Sequence, residues 1–208
     1  MSIRVFLQNK LSDMAEITSL SQLDPNGYYT YQDYLTWKFE DRVELFKGWL
    51  AKMSPAPNRK HQAISSALHG LIWSHLRHKS CHVFSAPFDV RLPVSKNEEI
   101  SDTVVQPDIV VICDDKKLDE QGCIGAPDLV IEILSPGNSD REMKQKFDLY
   151  EASSVQEYWI IDPDRMDVIV YTLDQNQVYI GSRPYLVGDI LGSNCIDGLE
   201  IELEEIFK

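Results

Sequence analysis

From residue 45 to residue 88 the chain contains no aspartate or glutamate, although the whole sequence holds 33 of them against 20 lysines and arginines. The net charge of −13 would by itself argue against a nucleic-acid partner, because phosphate backbones are gripped by surplus lysine and arginine. The acid-free stretch changes that expectation. It carries Lys47, Lys52, Arg59, Lys60, Arg77 and Lys79 together with all five histidines, so it stands at +6 and the remainder at −19. Such an asymmetric field presents one attractive face to an anion on an otherwise acidic molecule. The competing explanation is a solvated helix and loop of incidental composition.

Other absences narrow the class. No apolar run approaches the roughly 18 residues that span a bilayer. The start, Met1 to Glu16, lacks an apolar stretch followed by a small-residue cleavage site. A cytoplasmic protein without a membrane partner is expected. The four cysteines, Cys81, Cys113, Cys123 and Cys195, form no C-x-x-C pair. The nearest metal-like grouping, His78, Cys81 and His82, falls short of the four ligands zinc takes, and reduced thiols are expected in a reducing cytosol. Internal repeats and low-complexity tracts are also missing. With 208 residues, 43% of them hydrophobic, the chain suits one domain with a sizeable core.

What is present reads as alternating helices and strands. Residues 1–27 form a leader ending at the turn signal Asp24-Pro25-Asn26-Gly27, and 28–208 form the domain. Thr30 and Asp33 begin a short helix through about Phe39 in capping-box fashion. Two strands between Arg42 and Met53 surround Lys47-Gly48, and Ser54-Pro55-Ala56-Pro57-Asn58 breaks the pattern. Ile64, Ala67, Leu68, Leu71, Ile72 and Leu76 then recur at helical spacing from about Lys60 to His78. Strands are expected at about 82–92, 104–112 and 128–134, a helix at 141–152, and strands at 156–162 and 167–173. The tail adds one or two short strands and a last helical turn from Leu203 to Phe207. This order predicts an α/β fold around a mixed sheet flanked by helices.

Asp128-Leu129-Val130-Ile131-Glu132-Ile133-Leu134 has the apolar, β-branched character of a central buried strand. An unpartnered carboxylate at Glu132 would be costly there. Asp108 poses the same question at the head of Ile109-Val110-Val111-Ile112, directly after Pro107. Two carboxylates close together on neighbouring strands repel, and a divalent cation relieves the repulsion. Mg²⁺ (or Mn²⁺) suits oxygen ligands and keeps several waters, with the carbonyl of Ile133 as a third protein ligand. Alternatively, Asp108 is a strand-entry turn residue and Glu132 a buried salt-bridge partner. A lysine beside such a metal orients water or offsets developing charge.

Several phrases carry a resemblance: Tyr29-Thr30-Tyr31-Gln32-Asp33-Tyr34-Leu35, Val43-Glu44-Leu45, Met53-Ser54-Pro55-Ala56-Pro57, and His61-Gln62. They continue in Gln106-Pro107-Asp108, Glu132-Ile133-Leu134-Ser135-Pro136, Lys146 with Tyr150, and Glu157-Tyr158-Trp159-Ile160-Ile161-Asp162-Pro163. From about Tyr28 onward the chain resembles the PD-(D/E)XK nuclease superfamily, and within it the restriction-endonuclease family called Uma-two. The resemblance implies a restriction-endonuclease-like α-β-β-β-α-β core and Mg²⁺-dependent cleavage of DNA. It implies Glu44 as the upstream acid beside Asp108 and Glu132. The superfamily's strand lysine is replaced by Leu134, and the resemblance assigns that role to Lys146 on the next helix. Lys146 lies about one and a half turns into that helix, so its amine is expected within about 6 Å of a Glu132 or Asp108 carboxylate. Glu142, where relatives often have Asp, is a second departure, and Asp89 matches a position with a supporting role.

Lys52, Arg59, Lys60, His61 and Arg77 are the candidate DNA contacts. By fold analogy, cutting both strands favours a homodimer. Two rivals stand beside the nuclease: a non-catalytic binding or assembly module of the same fold, and a metal-dependent hydrolase of another phosphate ester.

Overall fold

The computed structural model describes residues 16–53, 58–92, 101–136 and 140–208. Residues 54–57 of the breaker and the first 15 residues of the leader lie outside the described residues. The rest of the leader is docked: Ile17 bridges Trp37, and Leu23 is buried. Its turn closes with the amide of Gly27 donating to the carbonyl of Asp24.

Helix α1 (Tyr31–Tyr34) is a single turn, shorter than expected, held by reciprocal Thr30–Asp33 bonds. Strands β1 (Val43–Phe46) and β2 (Trp49–Lys52) form a hairpin. Its two turn residues, Lys47 at φ 51° and Gly48 at φ 79°, both adopt the left-handed backbone that matches hairpin twist. Helix α2 (Arg59–Leu76) starts where Asn58 accepts the amide of His61. Its stripe of Ile64, Leu68, Ile72 and Leu76 is buried.

Two expected long strands are each two strands. The 82–92 run divides into β3 (His82–Ser85) and β4 (Asp89–Arg91) around the cis Ala86–Pro87 bond. The 104–112 run divides into β5 (Val104–Val105) and β6 (Ile109–Ile112) around Pro107. Proline cannot donate to a ladder, and at both places the chain passes between sheets. The smaller sheet has the order β2-β1-β5-β4-β8-β7, where β7 is Leu118–Asp119 and β8 is Gly122–Ile124.

The larger, mixed sheet takes β3 and β6, then β9 (Leu129–Ile133), β10 (Glu157–Asp162), β11 (Asp167–Leu173) and β12 (Tyr179–Gly181). Strand β13 (Tyr185–Leu186) pairs with β11, and β14 (Ile190–Gly192) pairs with β15 (Glu200–Glu202). The tail thus holds more strands than expected, because each is only two or three residues long and gives little alternation to read. Helix α3 (Asp140–Ala152) connects β9 to its parallel neighbour β10, and α4 (Leu203–Ile206) closes the chain.

The larger sheet is covered on both faces. Ile109, Val111, Leu129, Ile131, Trp159 and Ile161 pack against α2 and the C-terminal segment. Val110, Ile112, Val130, Tyr158 and Ile160 face Leu149 and Tyr150 of α3 and the smaller sheet. Burial on both faces explains why β6 is an unbroken apolar run and why β9 is apolar except at Glu132. Glu132 falls on the α3 face.

The expectation of reduced thiols does not hold for one pair: Cys81 and Cys113 are disulfide-bonded. His82 pairs with Ile112 across β3 and β6. The residues just outside that pair are therefore opposite each other, with Cα atoms 3.9 Å apart. A separation of 32 residues hid this contact. His82 bonds Asp115.

Candidate active site at the junction of the two sheets

Gln106-Pro107-Asp108 carries the chain from β5 in the smaller sheet to β6 in the larger. The pairing of β6 with β9 stops at Ile109–Ile131. Beyond it the amide of Ile133 has lost its strand partner and donates to Asp108 Oδ2 at 2.8 Å. His61 Nε2 lies 3.1 Å from the same oxygen, delivered by the first turn of α2. His61 is buried, and its Nδ1 has no hydrogen-bond partner among the described residues.

Glu132 projects from β9 toward α3. Its Oε1 accepts from Lys146 Nζ and from the Tyr150 hydroxyl, both at 2.7 Å. Those donors are one helical turn apart, so a single face of α3 supplies both. From the smaller sheet, Glu44 on β1 brings Oε1 to 3.7 Å from Lys146 Nζ and accepts the Gln106 amide at 2.8 Å. Lys146 thus sits between glutamates from the two sheets. Leu134, where the superfamily has its strand lysine, packs against the α3-side core. Arg42, Glu44, His61, Asp108, Glu132 and Lys146 line one cleft.

Burial pushes the Glu132 carboxyl up to about 7, and Asp108 and Glu44 push the same way while Lys146 opposes them. Burial disfavours the Lys146 ammonium too, but Glu132 and Glu44 outweigh it and hold the amine protonated, above its ordinary range. Burial and the same two glutamates raise Tyr150, so it stays a hydroxyl donor. Taking an ion pair out of water is repaid only when its remaining polar atoms are satisfied. Here Glu132 Oε1 takes two donors, whereas among the described residues Oε2 of Glu132, Oδ1 of Asp108 and Oε2 of Glu44 take none.

Among the described residues no three or more His, Cys, Asp or Glu side chains gather into a metal cage. The donors that remain are sparse carboxylate oxygens on a cleft wall, with the Ile133 main chain beside them. That set suits a hard cation that retains water and is wrong for zinc.

The other sequence candidates scatter. Arg59 and Lys60 begin α2 beside His61, and Lys60 pairs with Asp164 at 3.2 Å. Lys52 is exposed at the end of β2. Arg77 follows the far end of α2, roughly 27 Å from Arg59 at 1.5 Å per residue, so these cations do not form one patch around the cleft. Sequence reasoning gave no role to Tyr150, Arg42 or Gln106. The signal for Tyr150 was its i+4 spacing from Lys146. None was available for Gln106, whose Oε1 accepts from Arg42 Nε and Nη2 at 3.2 and 2.9 Å.

The model of the Uma2 family, described as "Putative restriction endonuclease", matches residues 31–204. The chain belongs to the Uma2 family. One relative, the uncharacterized protein slr1290 of Synechocystis, is 26% identical over 143 residues, covering 67% of this chain and 72% of that protein. A crystal structure described as "a putative nuclease belonging to DUF820", from Anabaena variabilis ATCC 29413, superposes with a TM-score of 0.67 at 24% identity. The match covers 86% of this chain and 97% of that one. At that identity the likeness speaks for the fold, and it agrees with the restriction-endonuclease-like architecture expected of this Uma2 chain. No helix among the described residues is long and apolar enough to cross a membrane.

Proposed function

We propose that this Uma2 protein is a Mg²⁺-dependent endodeoxyribonuclease that hydrolyses DNA phosphodiester bonds. One observation carries the proposal: Lys146 reaches across from α3 to within 2.7 Å of Glu132 and 3.7 Å of Glu44, in the cleft that Asp108 also lines. Asp108 and Glu132, with the carbonyl of Ile133, would hold the metal. When bound, the metal supplies Lewis-acid polarisation of a phosphoryl oxygen and a more acidic water.

The chain's own groups do the rest. Tyr150 and Lys146 fix the inner oxygen of Glu132, leaving the outer one for the cleft. His61 and the Ile133 amide hold Asp108 in the same way. Glu44 and Glu132 keep Lys146 protonated, so its ammonium offsets charge that builds on the attacked phosphate. Arg59, Lys60 and Lys52 supply a basic flank for the backbone, and two copies of the chain would cut both strands.

The test is nicking of supercoiled plasmid with Mg²⁺ or Mn²⁺. Lys146→Ala should keep its circular dichroism spectrum and Mn²⁺ binding but lose nicking; full nicking by that variant ends the proposal. Asp108→Asn should lose Mn²⁺ binding in a calorimetric titration, and binding equal to wild type would remove the metal site. A second reading, a non-catalytic module that binds without cutting, is favoured by Leu134 in the superfamily's lysine position and by the net charge of −13. Wild-type protein that binds DNA and Mn²⁺ yet nicks nothing would select it.

A further inference from the structure

Arg42 lines the cleft with Glu44, Asp108 and Glu132, yet among the described residues it makes no ion pair. Its partner is neutral: Nε and Nη2 both donate to Oε1 of Gln106. Gln106 is fixed from its other end, where Nε2 donates to Asp89 Oδ1 at 2.8 Å and to the Tyr34 hydroxyl at 3.3 Å. Reversing the amide would set its NH₂ against the guanidinium and its carbonyl against the Asp89 carboxylate, so chemistry selects the orientation. A carboxylate partner would have cancelled the arginine's charge. Gln106 holds it in place and leaves the charge intact, with about three of its five N–H donors uncommitted.

Arg42 also borders a second hollow. Arg42, His61 and Asp108 line both spaces. The second is furnished by Gln62, Ser65 and His69, which share one face of α2, and by Ser85 at the end of β3. These are polar hydrogen-bonding groups, and the one acid that lines the hollow is Asp108.

We infer that Arg42 clamps a phosphate of the DNA strand where the strand passes from the catalytic cleft into the second hollow. Gln106, backed by Asp89 and Tyr34, is its positioning residue. Naming DNA as the ligand rests on the nuclease proposal; the anion clamp rests on the arginine. A guanidinium held by its Nε–Nη2 edge still presents both N–H groups of Nη1 and one of Nη2 to two oxygens of one phosphate, which a lysine cannot do.

The experiment measures binding of short duplex DNA by fluorescence anisotropy across a salt series, with Ca²⁺ in place of Mg²⁺, alongside steady-state nicking. Arg42→Gln should weaken binding about tenfold, flatten the log–log salt slope by about one, and raise KM far more than it lowers kcat. Arg42→Lys should keep the slope and lose part of the affinity. Gln106→Leu, which retains the main-chain amide on Glu44, should lose affinity with the slope unchanged. Wild-type affinity and slope in Arg42→Gln would overturn the clamp even in an active nuclease. If wild-type protein neither binds nor nicks DNA, the nuclease proposal fails, and the clamp is judged by nuclear magnetic resonance with inorganic phosphate. A phosphate-dependent shift of the Arg42 Nε–H signal, assigned by its loss in Arg42→Gln, supports it; an unmoved signal ends it.

Discussion

Glu132 and Glu157 lie on adjacent parallel strands, β9 and β10, and both are buried, at 9% and 0% exposure. Their solutions to burial differ. Glu157 Oε1 accepts the Trp159 indole N–H at 2.6 Å. Its Oε2 accepts the Ser193 hydroxyl at 3.1 Å and the amides of Asn194 and Cys195 at 2.7 and 3.1 Å. Four neutral donors thus saturate the carboxylate and pin the C-terminal loop to β10. Glu132 takes both of its donors on one oxygen, one of them a cation, and faces two further acids. A buried acid is therefore no mark of chemistry by itself. What distinguishes the two is whether the second oxygen is spent.

The contrast breaks most sharply on cleavage. Glu132→Gln should lower nicking by more than about 100-fold, because it removes a proposed metal ligand and losing even a residue that merely orients a ligand costs about 10–100-fold. Glu157→Gln should nick at the wild-type rate per folded molecule. Equal losses in the two variants would dissolve the distinction.

Stability should run the other way. Glu157→Ala strands several buried donors, each costing about 1–3 kcal/mol, so denaturant unfolding should show a loss on the order of 3 kcal/mol. Glu132→Gln should lose less at pH 8, because its amide oxygen can still accept from Lys146 and Tyr150 and Glu44 stays beside the ammonium. A larger loss at Glu132 than at Glu157 would reverse the assignment.

The pH dependence sharpens the comparison further. Burial holds the Glu132 carboxyl up at about 7 in the folded protein, above its ordinary value of 4.5. Between those values the folded protein holds a proton that the unfolded chain has released, so stability from this group is present below 4.5 and is lost as pH rises through 7. Metal-free Tm should fall across that window, and less so in Glu132→Gln. Because Mg²⁺ competes with the proton, its Tm increment should be greater at pH 8 than at pH 5.5 and should vanish in Asp108→Asn. An increment independent of pH would separate Glu132 from the metal.

The smallest effect belongs to Tyr150→Phe. It removes one of two bonds to Glu132 Oε1 and should cost about 1 kcal/mol with a several-fold loss of nicking. An unchanged rate would mean that Lys146 alone positions the glutamate.

Much of the framework was legible because it is periodic or local. The stripe on α2, the apolar runs of β6 and β9, the capping box at Thr30 and the hairpin at Lys47-Gly48 follow from residues a few positions apart. The divisions of 82–92 and 104–112 were not read, although Pro87 and Pro107 marked them, because apolar residues resume just beyond both prolines, alternating at 88–92 and as a run at 109–112. The Cys81–Cys113 pair was missed because a cross-strand contact needs the register of β3 on β6, which neither segment carries alone.

By itself, the sequence determined that Asp108 and Glu132 are acids at the ends of strands that would be buried, since carboxylates amid β-branched runs demand a partner. The same demand applied to Glu157 in its own apolar strand, and nothing local told the two apart. Only the tertiary structure decided between them, by bringing a loop of amides to Glu157 and a lysine, a tyrosine and two more acids to Glu132. Burial can be read along a chain, but the donors that answer it come from segments distant in sequence, here β1, α3 and the C-terminal loop, and their arrival is fixed by packing.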